Sequence, residues 1–407
     1  MTTTRPRIRR FAGLALALSL VSATAHAQPV QLGIDVLRAQ GFGPLQGKRV
    51  GLVTNQTSVD SRGTPTRVIL RRDPRVRLMA LYTPEHGIDG RTPAGKYVAS
   101  RKDGVTGLTA YSLYGPNRKP TPAMLAPIDV LVFDLQDIGS RSYTYISTMV
   151  RCMEACAENR KEFIVLDRPN PLGGLRVNGP PIEGRWISFV GQLPVPYVHG
   201  MTAGELARMA AGRRWLSASP RFSVVPMQGW RRDMMWGETG LRWVPTSPNI
   251  PNSSSPFYYA ATGVYGSMAG VDIGIGSAAP FASARARGAD AGRFAAWMQS
   301  RPGMEGVWFR PSASGEWRGV SLGIHPRAAA DLVGINVFLM HYANRLASPS
   351  LVSRTTGDKR DIWFKCYGSD SIARLLEKNV PPEKIVASWR PFQRRFDAAR
   401  QPYLLYR

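Results

Sequence analysis

Glu85 and His86 stand side by side in Pro84-Glu85-His86-Gly87, directly after the apolar run VRLMALYT from Val76. A carboxyl group at the mouth of a partly desolvated crevice has its pKa raised, which is what a general acid needs near neutral pH. Asp134 and Asp137 end the next run, IDVLVFDLQ from Ile128, and offer a second carboxylate. Two carboxyls flanking a sugar linkage are the machinery of a glycoside hydrolase, provided they stand roughly 5 to 9.5 Å apart. Spacing along the chain does not fix that distance. A second reading of Asp134 and Asp137 is a salt bridge to Arg141 or Arg168 that shapes the loop.

The same kind of polar, turn-rich sequence follows two other apolar runs: Asn55-Gln56-Thr57 after RVGLVTN from Arg49, and Asp167-Arg168-Pro169-Asn170 after FIVLD from Phe163. His199 precedes a T-x-x-E capping box at Thr202–Glu205, where its ring either faces the crevice or bonds a backbone carbonyl. Tyr143, Tyr145, Trp186, Trp230, Trp236 and Trp243 supply aromatic faces that either stack on sugar rings or fill the core. Other chemistries lack their motifs. The histidines form no H-E-x-x-H pattern, so no metal site is expected. There is no G-x-S-x-G nucleophile elbow and no G-x-G-x-x-G after the first strand, so neither a serine hydrolase nor a dinucleotide cofactor is expected; no cofactor of any kind is called for.

The elements that position these groups are four near-continuous apolar runs, the pattern of strands buried on both faces of a parallel sheet. Helical patterns lie between them, at TPTRVILRR from Thr64 and YISTMVRCMEACAEN from Tyr145. Strand, helix, strand predicts a Rossmann-like α/β sheet, and open parallel sheets bind ligands beyond the carboxyl ends of their strands. All the polar groups above fall at such ends. Residues 180–260 are rich in Pro, Gly and Trp and read as a transition. Beyond about residue 245 a smaller α+β pattern follows, with a helix near 290–299, strands near Val307 and Val320, and two helices near the C-terminus. The expected division is a leader at 1–27, a Rossmann-like domain at 28–244 and an α+β domain at 245–407, with a cleft between the two domains.

Residues 1–27 read as an export signal: Arg5, Arg7, Arg9 and Arg10, an apolar run from Phe11 to Val21, then Ala25-His26-Ala27 with cleavage after Ala27. The Arg9-Arg10 pair admits twin-arginine export as a second route. No later run is long enough to span a bilayer, so no transmembrane anchor is expected. Location in the periplasm is expected, with secretion as the alternative. The net charge of +25 falls by the four leader arginines to +21, an excess that favours anionic partners. With no compact Lys/Arg run and no zinc-finger or RRM pattern, nucleic acid is not expected among them. Cys152, Cys156 and Cys366 are too few for a disulfide framework and read as buried thiols.

The motifs GLVTNQTSVD, TPEHGIDG, DVLVFDLQDIGSRSYTYISTM, FIVLDRPNPLGG, HGMTAGELA and VPTSPNIP, with the ending QPYLLYR, closely resemble the exo-β-N-acetylmuramidase family (DUF1343, NamZ-like glycoside hydrolases). The resemblance runs over almost the whole chain after the leader. It implies hydrolysis that releases N-acetylmuramic acid from the non-reducing ends of peptidoglycan fragments, with muropeptides or muramyl-glucosamine saccharides as partners in cell-wall turnover. By position it implies Glu85 as principal acid. It makes His86, Asp134, Asp137, Asn55, Gln56, Gln136, Arg141, Tyr143, Tyr145, Asp167, Arg168 and Asn170 candidates around the sugar, with Arg141 or Arg168 clamping the lactyl carboxylate. One segment departs from the family pattern. Where that pattern has an acidic E-G-T-N and then G-R-G before Pro-Phe, this chain has Ser267-Met268-Ala269-Gly270 and Gly274-Ile275-Gly276 before Pro280-Phe281, with Asp272 as a conceivable substitute. The alternative that follows is an inactive or altered-specificity protein that binds peptidoglycan fragments.

Overall fold

The computed structural model describes residues 1–3 and 30–407. The expected export signal falls almost wholly outside the described residues. No described helix is long and apolar enough to cross a membrane.

Strands β1 (Arg49–Val53), β2 (Arg77–Thr83), β3 (Arg101–Lys102), β4 (Thr109–Ser112), β5 (Val130–Phe133), β6 (Glu162–Leu166) and β7 (Phe222–Val225) form one sheet in the order β3-β4-β2-β1-β5-β6-β7. All neighbours pair in parallel except β3 with β4. The apolar runs become strands because both of their faces are covered. Leu131 and Phe133 of β5 join one buried cluster while Val130 and Val132 join the other, and β6 divides likewise. Helices α1 (Gly33–Ala39), α2 (Thr66–Arg72), α3 (Pro122–Leu125), α4 (Tyr145–Glu158) and α5 (Ala203–Gly212) belong to this domain. Thr202 caps α5 as the sequence predicts: its side chain accepts from Glu205 N, and the Glu205 carboxylate accepts from Thr202 N. Chain progression runs from β1 outward to β2 and β4, then crosses back to β5 on the other side of β1. The sheet therefore reverses direction between β1 and β5, the place where open α/β sheets hold ligands.

Residues 226–254 cross above the strand ends and lead into α6 (Ser255–Thr262). The second sheet joins β8 (Val271–Asp272), β9 (Ser283–Ala286), β10 (Val307–Ser314) and β11 (Trp317–Ile324) in the antiparallel order β10-β11-β9-β8. Helix α7 (Ala291–Gln299) packs on it, and α8 (Leu332–Asn344) is buried nearly throughout. The C-terminal region holds five further helices, α9 (Leu351–Arg354), α10 (Gly357–Tyr367), α11 (Ser371–Glu377), α12 (Pro382–Ala387) and α13 (Arg390–Arg400), where the sequence pattern suggested two. The chain then returns to the first domain, where Arg400 donates to the carbonyls of His199 and Gly200.

Candidate functional site

The predicted site residues gather along the carboxyl ends of β1, β2, β5 and β6, but in two different conditions. Some are engaged wholly by the protein. Asp134 Oδ1 accepts from Arg168 Nε at 2.5 Å, and its Oδ2 accepts from Arg168 Nη2 at 3.1 Å and Thr66 Oγ1 at 2.6 Å. With no exposure to solvent, Asp134 ties the ends of β1, β5 and β6 together, and its ion pair is with Arg168, one of the two partners the sequence offered. Arg168 also donates to Val59 O.

Arg141 is engaged by the protein as well. Its Nη1 donates to Pro180 O and Val195 O, and its Nη2 to Cys366 O and Tyr367 O, the latter two at the end of α10. This guanidinium fastens the C-terminal region to the first domain and has no Nη group directed to a sugar carboxylate; burial lowers its pKa to about 10. Asp167 accepts from Thr202 Oγ1, Gly204 N and Tyr406 OH, and burial pushes its carboxyl up to about 6. Asn170 bonds Met201 O and Leu172 N, a loop staple. Its side chain leaves no room beside Gly139, where an added Cβ would lie 2.2 Å from Asn170 Oδ1 and where φ is +80°. His199 is buried, accepts at Nδ1 from Met201 N, and is held down to about 3 by burial, with Arg400 and Arg141 nearby adding to the effect. It is a neutral ring inside the fold, and its buried Nε2 has no partner among the described residues.

The other residues form a connected crest. Asn55 Oδ1 accepts from Thr57 N and Thr57 Oγ1, an Asx turn that leaves its amide free to donate to Tyr145 OH at 2.9 Å. Tyr145 OH donates to Thr246 O, and Tyr143 OH to Thr246 Oγ1. The two tyrosine rings meet edge to face with centroids 4.8 Å apart. Gln56 Nε2 reaches Pro245 O and Thr246 O, pinning the crossing segment over the strand ends.

Glu85, 8% exposed, accepts from Thr144 Oγ1 at 2.6 Å and from Gly95 N at 2.9 Å. Thr144 is the N-cap of α4, so this carboxyl sits at a helix N-terminus, where the backbone dipole favours negative charge. His86 occupies the left-handed region at φ 72°, a conformation costly for a non-glycine residue, and its Nδ1 meets Thr92 O at 2.6 Å. That bond folds residues 87–95 back over Glu85.

Asp137 differs from every other carboxyl here. Its Oδ1 accepts from Gly139 N at 2.7 Å, while its buried Oδ2 has no partner among the described residues. Burial pushes the group up to about 7. Burial pushes the hydroxyls of Tyr143 and Tyr145 up, and the nearby carboxyls of Asp137 and Glu85 respectively add to it. Gln56 Oε1, Gln136 Oε1 and Ser140 Oγ are further buried atoms on this crest with no partner among the described residues. Thr144, Gly95, Thr66, Thr246 and Tyr406 were not singled out in the sequence; only Thr144, just ahead of a helical pattern, carried a local signal.

In the segment that departs from the family pattern, Asp272 is ion-paired with Arg285 of the second sheet and accepts from Gly274 N. These two contacts engage both of its carboxylate oxygens within the second domain. Among the described residues, no group of three or more His, Cys, Asp or Glu side chains is placed to hold a metal.

Two family models match the chain: "Exo-beta-N-acetylmuramidase NamZ, N-terminal" over residues 50–254 and "Exo-beta-N-acetylmuramidase NamZ, C-terminal" over residues 257–406. A peptidoglycan beta-N-acetylmuramidase, NamZ of Bacillus subtilis (strain 168), is 37% identical over 394 residues, which cover 94% of this chain and 93% of that protein. Two crystal structures of DUF1343 family proteins from Bacteroides fragilis NCTC 9343 are also similar. One is 41% identical with a TM-score of 0.86, the other 28% identical with a TM-score of 0.67, and each comparison covers 93% of this chain and 99% of that one. The strand-end crest and both halves of the sequence lead to one assignment: the chain belongs to the exo-β-N-acetylmuramidase NamZ family.

Proposed function

We propose that this protein is an exo-acting β-N-acetylmuramidase, a glycoside hydrolase that releases N-acetylmuramic acid from the non-reducing ends of peptidoglycan fragments. Asp137 carries the reading. It is a carboxyl held near neutrality by burial, with one oxygen unpartnered among the described residues, at the end of a parallel strand. A carboxyl whose pKa burial raises toward neutrality can hold a proton and donate it to a leaving oxygen. Glu85, just beyond the end of β2 in the same sheet, supplies the second carboxyl, either to activate water or to attack the sugar carbon. This divides the labour that sequence alone assigned to Glu85 as principal acid. Asn55, Gln56, Tyr143 and Tyr145 orient the substrate by their shared hydrogen bonds.

The basic n-region, apolar run and small-residue site of residues 1–27 support export to the envelope, with the periplasm as the place of action. The net charge suits an acidic sugar. The test is release of free N-acetylmuramic acid from a muramyl-glucosamine disaccharide by the purified protein, beside Glu85→Gln and Asp137→Asn. Release by the wild type alone supports the reading. Absence of release by folded wild type would favour the fragment-binding alternative, for which the altered 267–276 segment is the motive.

A further inference from the structure

Both carboxylate oxygens of Glu85 are engaged by the protein, Oε1 by Gly95 N and Oε2 by Thr144 Oγ1, on a residue 8% exposed. A carboxyl that acts on a substrate must give up part of this cover. Thr144 belongs to α4 and is fixed by it, whereas Gly95 lies in residues 87–100, which run as a loop from β2 to β3. Among residues 91–100 Val98 alone is buried.

That loop is held at its two ends and bridges a gap between them. Near Glu85, His86 Nδ1 meets Thr92 O at 2.6 Å beside the Gly95 bond. Farther along, Val98 N donates to Tyr114 O at 3.1 Å, and the Val98 side chain joins Tyr114 and Phe189 in a small cluster separate from the two main cores. The Arg118 guanidinium lies 5.4 Å from the Tyr114 ring centroid and 4.8 Å from that of Phe189. Between the loop and the sheet is a cavity of about 350 Å³, bounded by Gly87, Arg91, Pro93 and Tyr97 on one side and by Thr83 and Ala110 on the other. Gly87 and Gly95 have φ of 76° and 74°, a region glycine enters without steric cost, so the backbone is free to turn at both. A segment with one buried apolar contact and mostly exposed backbone opens locally, well short of global unfolding.

We infer that residues 87–100 are a hinged cover over Glu85, latched by Val98 against Tyr114 and Phe189. Seated, the loop delivers Gly95 N–H to the carboxylate and shields it. Lifted at Gly87, it bares Oε1 to the cleft. Loops that gate active sites in this way move on the microsecond to millisecond scale. The inference rests on the proposed role of Glu85 and adds a gate to it.

The test is carbodiimide labelling of carboxyl groups in the full chain, mapped by mass spectrometry, on wild type, Val98→Ala, Gly95→Ala and Gly95→Asn. Labelling needs no substrate, so it reports on the cover whether or not the protein hydrolyses anything. V98A weakens the latch by two methyl groups and should speed labelling of Glu85 about tenfold. Because Val98 lies outside both main cores, that variant keeps its fold. An added Cβ at Gly95 meets nothing within 4 Å among the described residues, so G95A acts only through its left-handed φ and should also speed labelling. G95N should stay nearer to wild type, since Asn tolerates that region. Asp134, closed in by Arg168 and Thr66, should remain slow in all four proteins. Glu85 labelling that is the same in wild type, V98A and G95A overturns the cover. A rise at Asp134 equal to that at Glu85 also overturns it, because the whole fold would then have loosened. Release of N-acetylmuramic acid is measured in parallel. Faster labelling of Glu85 without release by wild type keeps the cover and removes the hydrolase reading; release with unchanged labelling does the reverse.

Discussion

The crest of the parallel sheet gathers buried polar atoms without partners, whereas the strands of the second sheet hold one such atom among the described residues, Ser283 Oγ. In the second sheet Asp272 is paired with Arg285, Arg287 with Glu316, and Tyr265 OH donates to Arg285 O. On the crest, Gln56, Gln136, Asp137 and Ser140 each present a buried atom with no partner among the described residues. A buried polar atom without a partner costs about 1–3 kcal/mol, so a cluster of them persists where a ligand supplies the bonds.

The largest effect that tests this contrast is on activity. Asp137→Asn and Glu85→Gln should each lower N-acetylmuramic acid release by about 10²–10⁴-fold, the span of general acid–base contributions. A loss under tenfold in both would move the chemistry elsewhere. Next comes stability within the crest. Arg168→Met leaves Asp134 buried and unpaired, which should cost about 3–5 kcal/mol in urea unfolding, whereas Arg285→Met in the second sheet, more exposed to water, should cost about 1 kcal/mol or less.

A third effect follows from proton linkage. Asp137 has a pKa raised from 3.8 to about 7 in the folded protein, so the folded state binds the proton that the unfolded chain releases, and stability falls as pH rises from about 4 to about 7. Asp167 adds the same trend only up to about 6. His199, lowered from 6.5 to about 3, acts in the opposite sense: its contribution is present above pH 6.5 and is lost as pH falls toward 3. Asp137 and His199 thus act in opposite senses, and D137N should remove part of the fall in stability with rising pH from the unfolding curves. The smallest effect is expected at Asp272→Asn, with hydrolysis within about twofold of wild type, since Asp272 is engaged by Arg285 and Gly274 N away from the strand-end crest. A large loss there would return a catalytic duty to the second sheet.

Much of this fold is legible from sequence because its signals are local. The runs at Arg49, Val76, Ile128 and Phe163 become β1, β2, β5 and β6, the patterns at Thr64 and Tyr145 become α2 and α4, and the box at Thr202 caps α5. Strand β7 escaped notice because only Val225 of its residues is buried, and α8 because it is apolar all round and shows no periodic face. The condition of each site residue was not legible. Asp134 and Asp137 lie three positions apart in similar sequence, yet one is bound to Arg168, 34 residues away, and the other keeps a bare oxygen. Asp167 finds its partner 239 residues on, at Tyr406. Sequence shows where carboxyls stand, and tertiary closure decides which are free.

That last contact bears on how the molecule comes into being. Tyr406 OH closes on the Asp167 carboxyl, Leu405 N on Glu205, and Arg400 on the carbonyls beside His199. Domains tend to fold in order as a chain is synthesised. Here residues 400–407 complete the hydrogen bonding of Asp167 and Glu205, so those bonds of the first domain await the last residues of the chain.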